Sequence, residues 1–183
     1  RDCVLRTPGG AAASARTLTD IIAPSHETQS LIVALDHVTD PHNLGAVLRS
    51  ADQFGVDGVV VPERRAADIT PVVMQVSAGA AAYVPVARVT NLAAAVLQLK
   101  KSGYWVYAAE MDGQPVSAVD LSGRVVLVLG AEGAGLSRLL RDRADALVRI
   151  PGRGHGDSFN GSVAAGILLY EIRRQQKWFD ESG

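Results

Sequence analysis

Three polar loops carry the residues whose types and spacing could do chemistry. The first runs from Asp36 through His37, Thr39, Asp40, Pro41 and His42 to Asn43, then leads into Leu44-Gly45-Ala46-Val47-Leu48-Arg49. The Asn43 amide and the Arg49 guanidinium stand six positions apart, so on a helix both can point off the apolar stripe and present hydrogen-bond donors to a ligand. The second loop is Gly130-Ala131-Glu132-Gly133-Ala134-Gly135. Its glycines fall in the order G-x-x-G-x-G, which is not the dinucleotide fingerprint G-x-G-x-x-G. Its carboxylate would repel a phosphate, so a neutral or cationic ligand suits it better than a pyrophosphate. The third loop runs from Pro151 to Ser162, with Gly152, Gly154, Gly156 and Gly161 around Ser158, Phe159 and Asn160. It lacks the lysine of a P-loop, and its glycines let main-chain groups approach a flat heterocycle closely. A plainer account of each loop is also open: a capped helix with a surface arginine, a strand-to-helix turn, and a serine N-cap after a flexible connection. His37, His42 and His155 could each act in acid–base chemistry, although a lone histidine usually does not.

The elements that must position these loops follow from the apolar pattern. Leu31–Leu35, Gly58–Val61, Tyr104–Ala108, Val125–Leu129 and Ala146–Ile150 are continuous apolar runs, with Val84–Ala87 a weaker sixth. Such runs belong to strands buried on both faces, as in a parallel sheet. Helical stretches alternate with them: Asn43–Phe54, Thr70–Ser77, Asn91–Lys101 with Thr90 as N-cap, Gly135–Arg143 and Ser162–Lys177. Alternation at this spacing predicts an α/β fold with a mostly parallel sheet and flanking helices. Ligands in such folds bind beyond the carboxyl ends of the strands, where all three loops fall. Residues 1–30 read as a linker-like tail with a short helix over Thr17–Ile22, ahead of a domain spanning 31–183. Trp105 and Trp178 read as packing residues.

Composition bounds the function classes. The 183 residues carry 18 Lys and Arg against 19 Asp and Glu, so any nucleic-acid role needs a local basic patch. Candidates are Arg64 and Arg65, the group Arg138, Arg141, Arg143, Arg149 and Arg153, and Arg173, Arg174 and Lys177 on the last helix. An aromatic content of 5% disfavours a base-stacking platform. One cysteine, Cys3, excludes an intrachain disulfide and fits a cytoplasmic location. The four histidines have no paired metal spacing, so no metal is expected. The charge-free stretch Ile69–Ala87 is interrupted by Pro71, Gln75, Ser77 and Pro85, which argues against a membrane span. The chain starts at Arg1 instead of Met, which reads as a fragment or a processed form.

Taken together, the three loops resemble the three motifs of the SpoU/TrmH family of RNA ribose 2′-O-methyltransferases, of the SPOUT class. The first motif is Asp40 to Ala51, the second Leu127 to Ser137, and the third Ile150-Pro151 followed by Ser158 to Ala164. The likeness spans residues 31 to about 175 in order. Val38 to Asn43 and Val89 to Ala93 are similar to the bacterial 23S rRNA guanosine-2′-O-methyltransferases. The sequence departs from the family where Phe159 replaces Leu, where Gly161 replaces Val, and in the polar stretch Gly154–Asp157.

The resemblance implies S-adenosylmethionine (AdoMet) as methyl donor and a C-terminal deep trefoil knot formed by the chain of loops two and three. It implies a homodimer and an RNA substrate, rRNA first and tRNA as the alternative. It places Gly130, Ile150 and Phe159 at cofactor-contact positions, with Gly133 and Ser162 beside them. It assigns activation of the ribose oxygen to Arg49, supported by Asn43, Glu132, Ser158 and Asn160. It also implies that residues 1–30 are a linker or remnant of a missing N-terminal RNA-binding domain, or that the chain is a shortened homologue. A non-catalytic RNA-binding protein with the same fold is the competing reading.

Overall fold

A computed structural model describes residues 15–64, 68–131, 135–156 and 159–181. In chain order the elements are β1 (Ala15–Arg16), α1 (Leu18–Ile21), β2 (Ser30–Asp36), α2 (Pro41–Gln53), β3 (Gly58–Pro62), α3 (Pro71–Val76) and β4 (Val86–Val89). There follow α4 (Leu92–Lys101), β5 (Trp105–Pro115), β6 (Arg124–Gly130), α5 (Arg138–Arg143), β7 (Ala146–Arg149), α6 (Gly161–Gln175) and α7 (Trp178–Glu181). The strands form one sheet in the order β1-β4-β3-β2-β6-β5-β7, and every pairing is parallel. This bears out the expected α/β class.

The apolar runs are buried on both sides, as their continuity requires. All seven residues of β2 are buried. Leu31, Val33 and Leu35 face one core with Leu44, Val47 and Leu48 of α2 and Leu168, Leu169 and Ile172 of α6. Ile32 and Ala34 face the other, with Val96 and Leu99 of α4 and Leu140 of α5. Alternate residues of one strand therefore feed two hydrophobic layers. Gly45 lets α2 approach α3, since a Cβ there would lie 2.8 Å from the Val76 Cβ.

The strand order explains where a ligand site must fall. From β2 the chain builds β3 and β4 to one side, while β6 flanks β2 on the other, with β5 and β7 beyond it. The crossover between β2 and β6 is the topological switch point, and the opening lies beyond their carboxyl ends. There Asp36 pairs in register with Gly130.

Several boundaries differ from the sequence expectation. Residues 15–30 are not a bare tail: Ala15–Arg16 pairs with Val86–Ala87, and Ile21 is 4% exposed against Gly58. The helix there is held by a Thr17–Asp20 capping box. Helix α2 starts at Pro41 with Asp40 as its cap, so Asn43 lies inside the first turn. Asn91, not Thr90, caps α4. Strand β5 runs on to Pro115, where Gly113 meets β7 so closely that a Cβ would lie 2.5 Å from the Leu147 carbonyl carbon. Trp105 is 59% exposed and does not serve packing, whereas Trp178 seals Gly55.

Candidate functional site

The site is built from the ends of β2 and β6 and the starts of α2 and α6. A cavity of about 220 Å³ lies there, lined by Leu35, His37, Asp40, Asn43, Gly130 and Ser162 among others. Residues from all three sequence motifs therefore share one wall. A larger open cleft of about 830 Å³ lies at the far sheet edge between β4 and α4, but none of the candidate site residues lines it.

Each wall has a local cause. Asp40 caps α2 by accepting a hydrogen bond from the His42 amide at 2.9 Å, and Pro41 at the first helical position lacks the donor that would go unpaired. This aims the first turn, with Asn43, at the cavity. Gly130 ends β6, and a Cβ there would lie 2.7 Å from the Gly135 carbonyl, so no larger residue fits without moving the loop. The loop closes on itself through the Gly135 amide, which donates to the Ala131 carbonyl at 3.1 Å, and Gly135 takes a φ of 69°. Asn160 caps α6, its Oδ1 accepting from the Ser162 amide at 3.0 Å and the Ser162 hydroxyl at 2.7 Å.

Of the predicted residues, Asn43, Gly130 and Ser162 line the cavity. Asn160 caps α6 and bonds Ser162 but does not itself line the cavity; the capping serine of the plainer account is an asparagine. Arg49 lies further along α2, exposed and without a hydrogen bond or ion pair among the described residues. Ile150 is half-buried against the core and Phe159 is 43% exposed beside Gly152; neither lines the cavity. Glu132, Gly133 and Ser158 lie outside the described residues.

The sequence reading overlooked Asp36. It is buried, its Oδ2 accepts from the Ser137 amide at 2.9 Å, and its Oδ1 lies 2.7 Å from Nδ1 of His37. One carboxylate thus ties the first loop to the end of the second. The sequence signal was an acid closing an otherwise apolar strand.

The basic candidates divide sharply. Arg173 is 4% exposed and donates to the Phe54 carbonyl at 2.8 Å, the Gly55 carbonyl at 2.6 Å and Gln176 Oε1 at 2.7 Å, so it holds helix ends together and cannot meet RNA. Arg141 is bound to Asp112 and Glu110, which hold its guanidinium above the usual arginine range. Arg143 donates to the Ala93 carbonyl, and Arg174 pairs with Glu171 at 2.8 Å. Arg49, Arg64 and Arg153 are exposed, and among the described residues Arg138 carries only a long 3.9 Å contact to Asp142. Arg65 lies outside the described residues.

No helix among the described residues is long and apolar enough to cross a membrane, and no cluster of metal-ligating side chains occurs among them.

Comparison with known proteins gives this arrangement its family. Residues 30–170 match the model of the SpoU rRNA Methylase family. The chain is 49% identical over 152 residues to the 23S rRNA (guanosine-2′-O-)-methyltransferase RlmB of Coxiella burnetii, covering 82% of this chain and 61% of that protein. It is also 49% identical over 156 residues to an uncharacterized tRNA/rRNA methyltransferase of Mycolicibacterium vanbaalenii, covering 85% of this chain and 50% of the relative. The chain thus spans between half and about three-fifths of the length of these relatives. Among solved structures, the AdoMet-bound rRNA methyltransferase of Sinorhizobium meliloti superposes with a TM-score of 0.78 at 34% identity, covering 87% of this chain and 60% of that one. The SpoU methyltransferase AviRb of Streptomyces viridochromogenes, in complex with AdoMet, gives 0.76 at 32% identity, covering 86% and 61%. With most of its length matched in sequence and in fold, the chain belongs to the SpoU rRNA methylase family.

Proposed function

We propose that this protein transfers a methyl group from AdoMet to a ribose 2′-hydroxyl of RNA, with a guanosine of 23S rRNA as the target and tRNA ribose as the second candidate. The observation that carries the reading is the convergence of Asn43, Gly130 and Ser162, one from each motif, on one cavity at the β2/β6 switch point. Relatives that share this fold at 32–34% identity bind AdoMet, and a relative at 49% identity acts on 23S rRNA guanosine.

The residues present fit that cofactor. Gly130 lines the cavity, and a Cβ there would strike the Gly135 backbone and move the loop that follows. The described lining holds Asp40 and no lysine or arginine, which suits a sulfonium cation and not a phosphate. At 220 Å³ the described walls enclose part of such a ligand, since small-molecule sites commonly span roughly 300–1,000 Å³. Gly130, Gly133, Ile150, Phe159 and Ser162 are the proposed holding residues. When bound, AdoMet supplies an electrophilic methyl group on a positively charged sulfur.

The chain's own residues then position the ribose. Alignment of two reacting groups can lower a barrier by several kcal/mol, up to about 7–11. Asn43, Ser158 and Asn160 orient the sugar. Arg49 holds the adjacent phosphate and stabilises negative charge growing on the 2′-oxygen. A guanidinium stays protonated and is a poor proton acceptor, so that task falls to Glu132 or a phosphate. Exposed Arg64, Arg138 and Arg153 extend the RNA-binding surface.

The finer assembly belongs to the same proposal: loops two and three form a trefoil knot, and the enzyme works as a homodimer in the cytoplasm. Helix α6 buries Leu168, Leu169 and Ile172 yet leaves Val163, Ile167 and Tyr170 exposed along one stripe, an apolar face for a second copy. Light scattering at micromolar concentration tests the dimer; a monomer would contradict it.

The function is tested with tritiated AdoMet and total RNA lacking the modification, followed by mapping of the labelled nucleotide. Label on a ribose 2′-oxygen is expected. Label on a base or on protein would overturn the assignment. Arg49→Ala should lose methyl transfer by about 10²–10³-fold while retaining AdoMet binding.

A further inference from the structure

Two acidic side chains that the methyl-transfer chemistry does not use converge on one short segment, residues 135–137, at the end of the second loop. Strand β6, which carries that loop, lies between β2 and β5, and each neighbour supplies one of the acids. From β2, Asp36 is 4% exposed, and its Oδ2 accepts from the Ser137 amide at 2.9 Å. Ser137 is the N-cap of α5, and its own hydroxyl makes no capping bond. In a capping box, an acid at the third helical position accepts from the N-cap amide. That position in α5 is Leu140, whose side chain is buried in the core. Asp36 takes the part of the absent acid from 101 residues away.

From β5, Glu110 meets the same segment on its other side. Its carboxylate oxygens lie 3.7 and 3.9 Å from where a Cβ on Gly135 would stand. Its side chain is 17% exposed and pairs with Arg141 of α5 at 3.4 Å, and Asp112 binds the same guanidinium. Burying a carboxylate is costly unless it is paired, and each of these has its donor. Residues 135–137 and the helix behind them are thus tied to two separate strands.

This segment backs the wall of the cavity. The Gly135 amide donates to the Ala131 carbonyl at 3.1 Å, and Gly130 packs so closely on Gly135 that no Cβ fits between them. Gly130 and Ala131 line the cavity. A shift of residues 135–137 therefore reaches the cavity through backbone contacts.

We propose that Asp36 and Glu110 are positioning residues for the cofactor: they hold residues 135–137, and through them the wall of Gly130 and Ala131, in the shape that AdoMet binds. This rests on the reading of the cavity as the methyl-transfer site. Neither acid touches the reacting atoms. A wall fixed in advance raises affinity because less ordering is left to occur on binding.

The test is calorimetric titration of AdoMet and of its demethylated product, S-adenosylhomocysteine, into Asp36→Ala, Asp36→Asn and Glu110→Ala. Asp36→Ala removes the acceptor of the Ser137 amide and should weaken both ligands about tenfold, the equivalent of one hydrogen bond. Asp36→Asn keeps an accepting oxygen and should restore both affinities to within about threefold of the unaltered protein. Glu110→Ala should weaken both ligands as well, and it keeps the test decisive if Asp36→Ala does not fold. The double Ala variant should lose less than the product of the two single losses, because both acids hold one segment. At saturating AdoMet the single-turnover rate should stay within about threefold, so the change falls on KM and not on kcat. Without any ligand, amide hydrogen exchange at Ser137 should quicken in Asp36→Ala and not in Asp36→Asn. Unchanged affinities in the folded Ala variants would overturn the proposal. So would a loss confined to AdoMet, since the product lacks the sulfonium charge and the acids would then be acting on charge and not on the wall. Binding of neither ligand by the unaltered protein would overturn the function reading, and this proposal with it.

Discussion

The two ends of strand β2 use polar residues in opposite ways. At the amino end, Ser30 is fully buried; its hydroxyl donates to Asp57 at 2.6 Å and lies 2.7 Å from the Tyr104 hydroxyl. Gln176 donates to the Ser30 carbonyl at 3.0 Å and the Gly123 carbonyl at 2.9 Å, while Arg173 closes the carbonyls of Phe54 and Gly55. Arg124 stacks 4.6 Å above the Tyr104 ring and donates to four backbone carbonyls. Nearly every polar group there is used up holding the chain. At the carboxyl end, Asp36 is fixed in the same way, but His37 and Asn43 face a cavity, and Arg49 beyond them is exposed. An arginine's role is set by its acceptors: carbonyls at a helix end make Arg173 structural, whereas Arg49 is exposed and has no acceptor among the described residues.

The contrast can be broken from either end. Arg173→Ala should be the costliest change, removing a buried guanidinium and leaving the Phe54 and Gly55 carbonyls unpaired. A loss of about 3 kcal/mol, or roughly 6–12 °C in melting temperature, is expected by thermal denaturation, with methyl transfer by the folded protein unchanged at low temperature. Gly130→Ala acts at the other end. Its Cβ would strike the Gly135 backbone, so stability should fall by about 2 kcal/mol and AdoMet affinity by tenfold or more in calorimetric titration. Tyr104→Phe removes a hydroxyl that lies 2.7 Å from the Ser30 hydroxyl and accepts from the Ala23 amide at 3.0 Å. About 1 kcal/mol should be lost in chemical denaturation, again without effect on AdoMet binding.

The smallest expected effect is electrostatic. The Arg174 guanidinium, then Gln175, hold the Glu171 carboxyl below the usual glutamate range against the opposing effect of burial. A depressed carboxyl stabilises the fold above its unfolded value, near 4.3, and that contribution is lost as pH falls through the lower folded value. A pair at this spacing on a helix, with Arg174 55% exposed, is worth about 0.3–0.5 kcal/mol. Glu171→Gln should flatten the acid side of the stability–pH curve by that amount.

The central strands were legible in the sequence because a strand buried on both faces leaves an unbroken apolar run, as Leu31–Leu35 and Val125–Leu129 do. The outer part of β5 was not, because Glu110-Met111-Asp112-Gly113-Gln114 is polar and its pairing with β7 depends on Gly113 allowing close approach. Strand β1 was not legible either: two residues carry no periodicity, and only the partner strand defines them. At the site, the three loops were legible from residue type and order. Charge in the sequence did not reveal that Arg141, Arg143 and Arg173 already have acceptors, since those come from distant parts of the chain. The Asp36–His37 contact was hidden because it depends on one positive φ that no pattern of residue types specifies.

On the proposed function, AdoMet binds at the carboxyl end of β2 and nowhere near its amino end. Titration of AdoMet into ¹⁵N-labelled protein, followed by amide chemical shifts, tests it most directly. Saturable shifts are expected at His37, Val38, Asn43, Gly130, Ala131 and Ser162, with Ser30, Tyr104, Gly123 and Gln176 unmoved. Shifts confined to that second group, or no saturable binding, would contradict it.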